Sequence, residues 1–131
     1  MARHKKSICK ILTVDDELAA DTFFNKFFEM NNYEVITAGD GESAIKMVKK
    51  DRPKVVLLDV KMPGMDGLAA LKEIKSINKD IVVIMVTALA DDQTMKMAME
   101  LGADDYVTKP LSIEDLEKKI VAMVSKDKKK D

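Results

Sequence analysis

Lys54 to Gly67, KVVLLDVKMPGMDG, constrains the fold of this chain more than any other stretch. Val55, Val56, Leu57 and Leu58 form an apolar run too short for a helix and rich in β-branched residues. That predicts a strand buried on both faces. The run stops on a carboxylate, Asp59, and Pro63, Gly64 and Gly67 then force a loop. In open α/β sheets the carboxyl end of a central strand is where ligands bind. A single Asp there is as readily a helix cap as a functional group, so the rest of the chain has to decide.

Four further strands are expected at Ile8–Val14, Glu34–Ala38, Ile81–Val86 and Asp104–Thr108. Between them the apolar spacing turns helical. Leu18–Met30 holds all four phenylalanines, with Ala20, Phe24, Phe27 and Phe28 on one broad face and Phe23 on its rim. Packing against a sheet explains that face better than an aromatic ligand box. Asn31-Asn32 closes this helix, because Asn tolerates the left-handed conformation. Glu42–Lys50 turns Ala44, Ile45 and Val48 inward, and Leu68–Ile77 turns Leu68, Leu71 and Ile74 inward. Asp91-Asp92 caps the next helix and Gly102 stops it. Met97, Ala98 and Leu101 share its inner side, with Met95 and Met99 on the opposite one. Ser112, with Asp115 three residues on, caps the last helix, whose inner face is Ile113, Leu116, Ile120, Val121 and Val124.

Five β units thus alternate with five helices, and no hairpin signal interrupts them. The pattern predicts a parallel sheet covered by helices on both sides, with right-handed crossovers. With 131 residues there is room for one core. The folded domain is expected at 8–125, between a basic arm at 1–7 and a charged tail at 126–131. No apolar run approaches the roughly 20 residues needed to span a bilayer. The basic start meets Asp15 and Asp16 too soon to be a secretory signal. A formal net charge of −1 leaves no electrostatic footprint for nucleic acid. Cys9 is the sole cysteine, so no disulfide framework exists and a reducing cytoplasm is expected. His4, the sole histidine, is a bystander in the polar arm.

The polar residues collect at equivalent places. Asp15-Asp16 follow the first strand, Asp59 ends the third, Thr87 ends the fourth and Lys109 follows the fifth. In a parallel sheet these groups converge on one edge. Capping accounts for one acid there, not for three carboxylates, a hydroxyl and an ammonium together. Close carboxylates repel unless a cation joins them. All-oxygen donors with no His or Cys nearby point to a hard ion, and Mg²⁺ needs only one or two carboxylates. A metal beside an ammonium and a hydroxyl makes a place to neutralise a phosphoryl group. No activated Cys or His is present to attack it, but a carboxylate can itself be the nucleophile, giving an acyl phosphate.

These residues resemble the receiver domain of two-component response regulators, from about Ile8 to Val124. The matching motifs are Asp15-Asp16, LLDVKMPGMDG around Asp59, Thr87-Ala88, and Tyr106 with Lys109-Pro110. The resemblance implies a flavodoxin-like, doubly wound sheet of strand order 2-1-3-4-5, the order that chemotaxis receivers take. It also implies phosphorylation of Asp59 by a sensor histidine kinase or phosphotransfer protein. Asp16 would ligate Mg²⁺ directly, Asp15 would assist through water, and Asp59 and the backbone carbonyl of Lys61 would complete the protein ligands. Thr87 would hydrogen-bond a phosphoryl oxygen, Lys109 would pair with it, and the Lys109-Pro110 bond would be cis. Phosphorylation would draw Thr87 inward and let Tyr106 turn toward the core. That would reshape a face bearing Met95, Met99 and Tyr106, where a downstream protein or a second copy docks. Nothing implies direct nucleic-acid binding, membrane insertion, or enzymatic activity beyond autocatalytic phosphoryl acceptance and slow self-dephosphorylation. Lys61 and Leu89 border the expected path of the hydrolytic water.

Three rival readings are weaker. A phosphatase of the haloacid-dehalogenase kind resembles DxD at its nucleophile, but Lys61 holds the place of the second Asp. A flavodoxin needs a Ser-, Thr- and Gly-rich phosphate loop after the first strand, where this chain has Asp15-Asp16-Glu17. An unphosphorylated scaffold of receiver fold would not need the full set of site residues. The initial Met and short Lys-rich tail favour a stand-alone receiver.

Overall fold

Apolar side chains that alternate between two faces of three central strands decide the architecture. The computed structural model describes residues 9–15, 20, 22–60, 66–88, 92–110 and 112–129, the last five by backbone alone. The strands are β1 (Lys10–Val14), β2 (Glu34–Thr37), β3 (Val55–Asp59), β4 (Val82–Thr87) and β5 (Asp105–Thr108). They form one sheet in the order β2-β1-β3-β4-β5, every pair parallel, as the resemblance implied. The helices are α1 (Thr22–Met30), α2 (Gly41–Asp51), α3 (Gly67–Ile77), α4 (Asp92–Glu100) and α5 (Ile113–Lys129).

β3 is flanked by strands on both sides, and its Val55 to Leu58 are fully buried. Val56 and Leu58 turn to one face, where Ala44, Ile45 and Val48 of α2, Leu71 and Ile74 of α3 and Ala98 of α4 cover them. Val55 and Leu57 turn to the other, under Phe24 and Phe28 of α1 and Leu116, Ile120 and Val124 of α5. Each large side chain so buried contributes about 1.5–3 kcal/mol. The rings of Phe24 and Phe28 also meet, tilted at 49° with centroids 4.8 Å apart.

Several expected faces are narrower than drawn. Ala20 and Phe23 of the first helical stretch are exposed, Phe23 at 66%, and Phe27 is half-buried. Met97 of α4 and Val121 of α5 are also exposed rather than inward. Adjacent helical residues differ by about 100°, so a neighbour of a buried residue lies on the margin of its stripe. Helix α5 runs on through Lys129, into what was expected to be tail.

The ends of the elements are chemically defined. Asn32, at φ 72°, and Gly102, at φ 105°, take the left-handed conformation after α1 and α4; Arg52 does so after α2, without a sequence signal. Asp40 Oδ1 accepts from Ser43 N at 2.8 Å, and Asp66 Oδ1 from Ala69 N at 2.8 Å, capping α2 and α3. Backbone and side-chain hydrogen bonds to Ser43 hold the Asp40 carboxyl below its ordinary range. Ser112 Oγ accepts from Asp115 N at 3.2 Å, the expected cap of α5. The expected start at Ile8 and cap at Asp91 lie outside the described residues.

Candidate functional site

Strand register brings the polar residues to one edge. Val14 is level with Leu58, so Asp15, the next residue, comes beside Asp59; Asp59 is level with Val86, and Thr87 with Thr108. Each charged group therefore sits one step past, or at the end of, a strand whose apolar side chains anchor it. Asp15 and Thr87 are buried, while Asp59 is partly exposed.

Lys109 ties the strands together. It follows β5, its backbone N donates to Thr87 O at 2.9 Å, and its side chain reaches back across β4. The ammonium lies 2.9 Å from Asp15 Oδ2 and 3.5 Å from Asp59 Oδ2. Asp15 Oδ2 is fully buried, so the shorter contact is an ion pair shielded from water. Lys109-Pro110 is cis.

Of the four expected metal ligands, Asp15 and Asp59 are brought together; Asp16 and Lys61 lie outside the described residues, as does Leu89. Among the described residues no cluster of three metal-ligating side chains forms. The residues present nonetheless fit a hard cation. They are two carboxylates on adjacent strand ends, and a carboxylate oxygen engaged in one ion pair keeps lone-pair capacity for a second cation.

Gly67 supports the site from below, and its part was not legible as such in the sequence. It opens α3, and its N donates to Val60 O at 2.7 Å. A Cβ here would fall on the Asp59 carbonyl oxygen and lie 2.7 Å from Val60 Cα. The glycine is needed for close approach of helix to strand, not for a turn. The signal was Asp66-Gly67 ahead of a helical pattern.

Tyr106 is half-buried and packs against the cluster beneath α2, α3 and α4. With Met95, Pro110, Ser112, Leu116 and Lys119 it lines an open depression of about 440 Å³. Met95 is half-buried there, and Met99, one turn further along α4, is 49% exposed. Lys119 bridges α5 to β5 through Asp105 at 2.9 Å.

A family profile described as the response regulator receiver domain matches residues 11–121. The probable transcriptional regulator ycf27 of Cyanophora paradoxa is 43% identical over 115 residues, which cover 88% of this chain and 48% of that protein. The alkaline phosphatase synthesis transcriptional regulatory protein PhoP of Bacillus subtilis is 36% identical over 115 residues, with the same coverage of 88% and 48%. The chain spans about half the length of the curated relatives it matches. Among solved structures, a CheY-like receiver domain protein from Methanospirillum hungatei superposes with a TM-score of 0.88 at 27% identity, over 97% of this chain and 100% of that one. The receiver domain of a Francisella response regulator gives 0.81 at 29% identity, over 91% and 98%.

Proposed function

This chain belongs to the response regulator receiver family of two-component signalling, and on that premise we propose that Asp59 is its phosphoryl acceptor. The observation that carries the reading is the placement of Asp59. It is a partly exposed carboxylate at the end of a central strand, within 3.5 Å of an ammonium that a buried second carboxylate also holds. A donor phosphoryl group approaching that edge meets a nucleophile with a cation already beside it. An Asp59 carboxylate oxygen attacks phosphorus, the bond to the donor breaks, and the donor leaves with the electron pair. Lys109 counters the charge on the transferred group, and the Thr87 hydroxyl donates a hydrogen bond to it. Asp15, Asp16, Asp59 and the Lys61 carbonyl are the residues to hold Mg²⁺, which when bound neutralises phosphoryl oxygens in flight.

The phosphoryl source is a sensor histidine kinase or a phosphotransfer protein. Output passes through the face formed by α4, β5 and α5, where Met95 and Tyr106 line a depression and Met99 of α4 is exposed. A downstream protein or a second copy docks there once Tyr106 turns inward. The chain itself makes no direct contact with nucleic acid, consistent with its net charge of −1. No described helix is long and apolar enough to cross a membrane. Its place is the cytoplasm, where a lone Cys9, its thiol pushed up to about 11 by burial, stays protonated and reduced.

Intact-mass spectrometry after incubation with acetyl phosphate, with and without Mg²⁺, tests the reading. A single Mg²⁺-dependent phosphate gain, lost in Asp59→Asn, is expected. Full labelling of Asp59→Asn overturns the acceptor, and no gain under any condition leaves a scaffold of receiver fold.

A further inference from the structure

Net charge hides where the charges lie. All strands are parallel, so the sheet has a carboxyl edge and an amino edge. Acids collect at the first: Asp15 and Asp59 at strand ends, Asp40 and Asp66 as helix caps. Basic residues collect at the second. α2 gives way to β3 through KKDRPK, Lys49 to Lys54, in which Lys49, Lys50 and Arg52 are exposed. β1 begins on Lys10, whose ammonium donates to Asp51 O at 3.3 Å and whose carbonyl accepts from Lys54 N at 2.9 Å. Lys10, Lys49, Lys50, Arg52 and Lys54 thus gather at one corner, set against Asp51 and against Glu34, which is level with Lys10. Arg52 holds its place in the left-handed conformation, φ 50° and ψ 57°, which glycine or asparagine takes at lower cost. α1 and α3 end at the same edge, where Met30 is 79% and Ile77 38% exposed.

We infer that this amino edge is a docking surface for an anionic lipid bilayer. Each Lys or Arg held near acidic headgroups tightens binding about fivefold, and apolar side chains among the cations enter the headgroup layer. Met30 and Ile77 have no use on a nucleic-acid backbone, which presents phosphates and sugars. The acids of the other edge do not oppose the contact. β3 has five residues, so they stand roughly 16 Å away at about 3.3 Å per residue, beyond the screening length of about 8 Å at physiological salt. The near edge therefore governs binding, although the whole chain carries −1. The sequence leading into β1 adds Arg3, Lys5 and Lys6. α5, which meets the first residue of β5 through Lys119 and Asp105, runs on to Lys129 toward the same edge. Docked this way, the molecule holds Asp59 away from the surface and open to a partner.

Co-sedimentation of the full chain with vesicles of phosphatidylcholine, with or without phosphatidylglycerol, tests this. Binding is expected only where phosphatidylglycerol is present, and it is expected to weaken as salt rises. Lys49→Gln/Lys50→Gln/Arg52→Gln is expected to bind about a hundredfold less tightly and to melt with wild type. Arg52→Gly separates the surface from the fold. It is expected to melt near or above wild type, because the left-handed strain is relieved, yet to bind the vesicles about fivefold less tightly. Met30→Ser is expected to weaken binding to the vesicles and not to a short DNA duplex used as competing polyanion. No binding to the anionic vesicles, equal binding to neutral ones, or a triple variant that binds as wild type overturns the inference. Tighter binding to the duplex than to the vesicles, with Met30→Ser without effect on either, overturns it in favour of nucleic acid.

Discussion

Replacing Gly67 by alanine adds one methyl group at the junction of α3 and the end of β3. The backbone of Gly67 lies outside the left-handed region, so space rather than backbone angle decides the effect. The added Cβ would overlap the Asp59 carbonyl oxygen and sit 2.7 Å from Val60 Cα and 2.9 Å from the Asp59 carbonyl carbon. Carbon atoms rest at roughly 3.5–4.0 Å, so strand and helix must part by most of an ångström. All three obstacles are backbone, which cannot swing aside as a side chain does. Overpacking of this kind costs about 1–3 kcal/mol. Reduced freedom of the unfolded chain returns about 0.4–1 kcal/mol. The expected net loss is about 1–2 kcal/mol, which at a slope of about 2 kcal/mol per molar urea lowers the midpoint by about 0.5–1 M. Parting the two elements also strains the 2.7 Å bond from Gly67 N to Val60 O and shifts the backbone that carries Asp59. Phosphorylation by acetyl phosphate should therefore slow in the same variant. Urea unfolding followed by circular dichroism is the assay. A Gly67→Ala protein as stable as wild type, or more so, refutes the close-approach argument.

Two further predictions concern structure away from the site. Asp104 Oδ2 accepts from Val83 N at 2.9 Å and from Lys75 Nζ at 2.8 Å, so Asp104→Ala is expected to lose about 1.5–3 kcal/mol in urea unfolding; a loss under about 0.5 kcal/mol refutes the assignment. Burial, then the hydrogen bond to Glu117 at 3.1 Å, holds the Tyr33 phenol above its ordinary 10.0. Its contribution to stability is therefore complete below about pH 10 and is lost as pH rises through the folded value. Tyr33→Phe is expected to be about 1 kcal/mol less stable at about pH 7 and to close that gap above about pH 10; a gap constant with pH refutes the reasoning.

The sheet was legible because β3 and β4 carry apolar residues on both faces, which in a chain of this size only a central parallel strand requires. Their order was not legible from pattern alone; it came with the family motifs, since periodicity says which residues face inward but not which strand lies beside which. The site was legible as a list, Asp15, Asp59, Thr87 and Lys109, because residues at strand ends share an edge whatever the order. What pattern could not reach were distances. Nothing in the sequence says that Lys109 lies nearer Asp15 than Asp59, because that depends on how far a long side chain reaches over β4. Met97 and Val121 face outward for a related reason: helical spacing defines an angle between residues, and only the sheet defines where that angle starts. Asp40 and Asp66 look like plain turn residues in the sequence, and only the contacts of their carboxylates with Ser43 N and Ala69 N make them caps.

The two edges of the sheet use the same pair of residue types to opposite ends. At the amino edge, Lys75 Nζ donates to Lys79 O at 3.1 Å, Ile81 O at 2.6 Å and Asp104 Oδ2 at 2.8 Å. An ammonium has three protons, and all three are committed. Two of those acceptors are backbone carbonyls, which cannot move without unfolding the turn before β4. Such a lysine is a fixed rivet, and no ligand can exchange with it. At the carboxyl edge, among the described residues, Lys109 is shared between two carboxylates of unequal burial and unequal distance. Both acceptors are side chains, and each carboxylate keeps lone-pair capacity for a further cation. The difference lies in what each ammonium touches, not in the residues themselves, and it separates the effects of mutation. Damage at Lys75 or Asp104 should lower stability and leave the chemistry of Asp59 intact in whatever protein remains folded. Damage at Lys109 should lower stability and also slow the proposed phosphorylation of Asp59, because its ammonium lies beside that carboxylate.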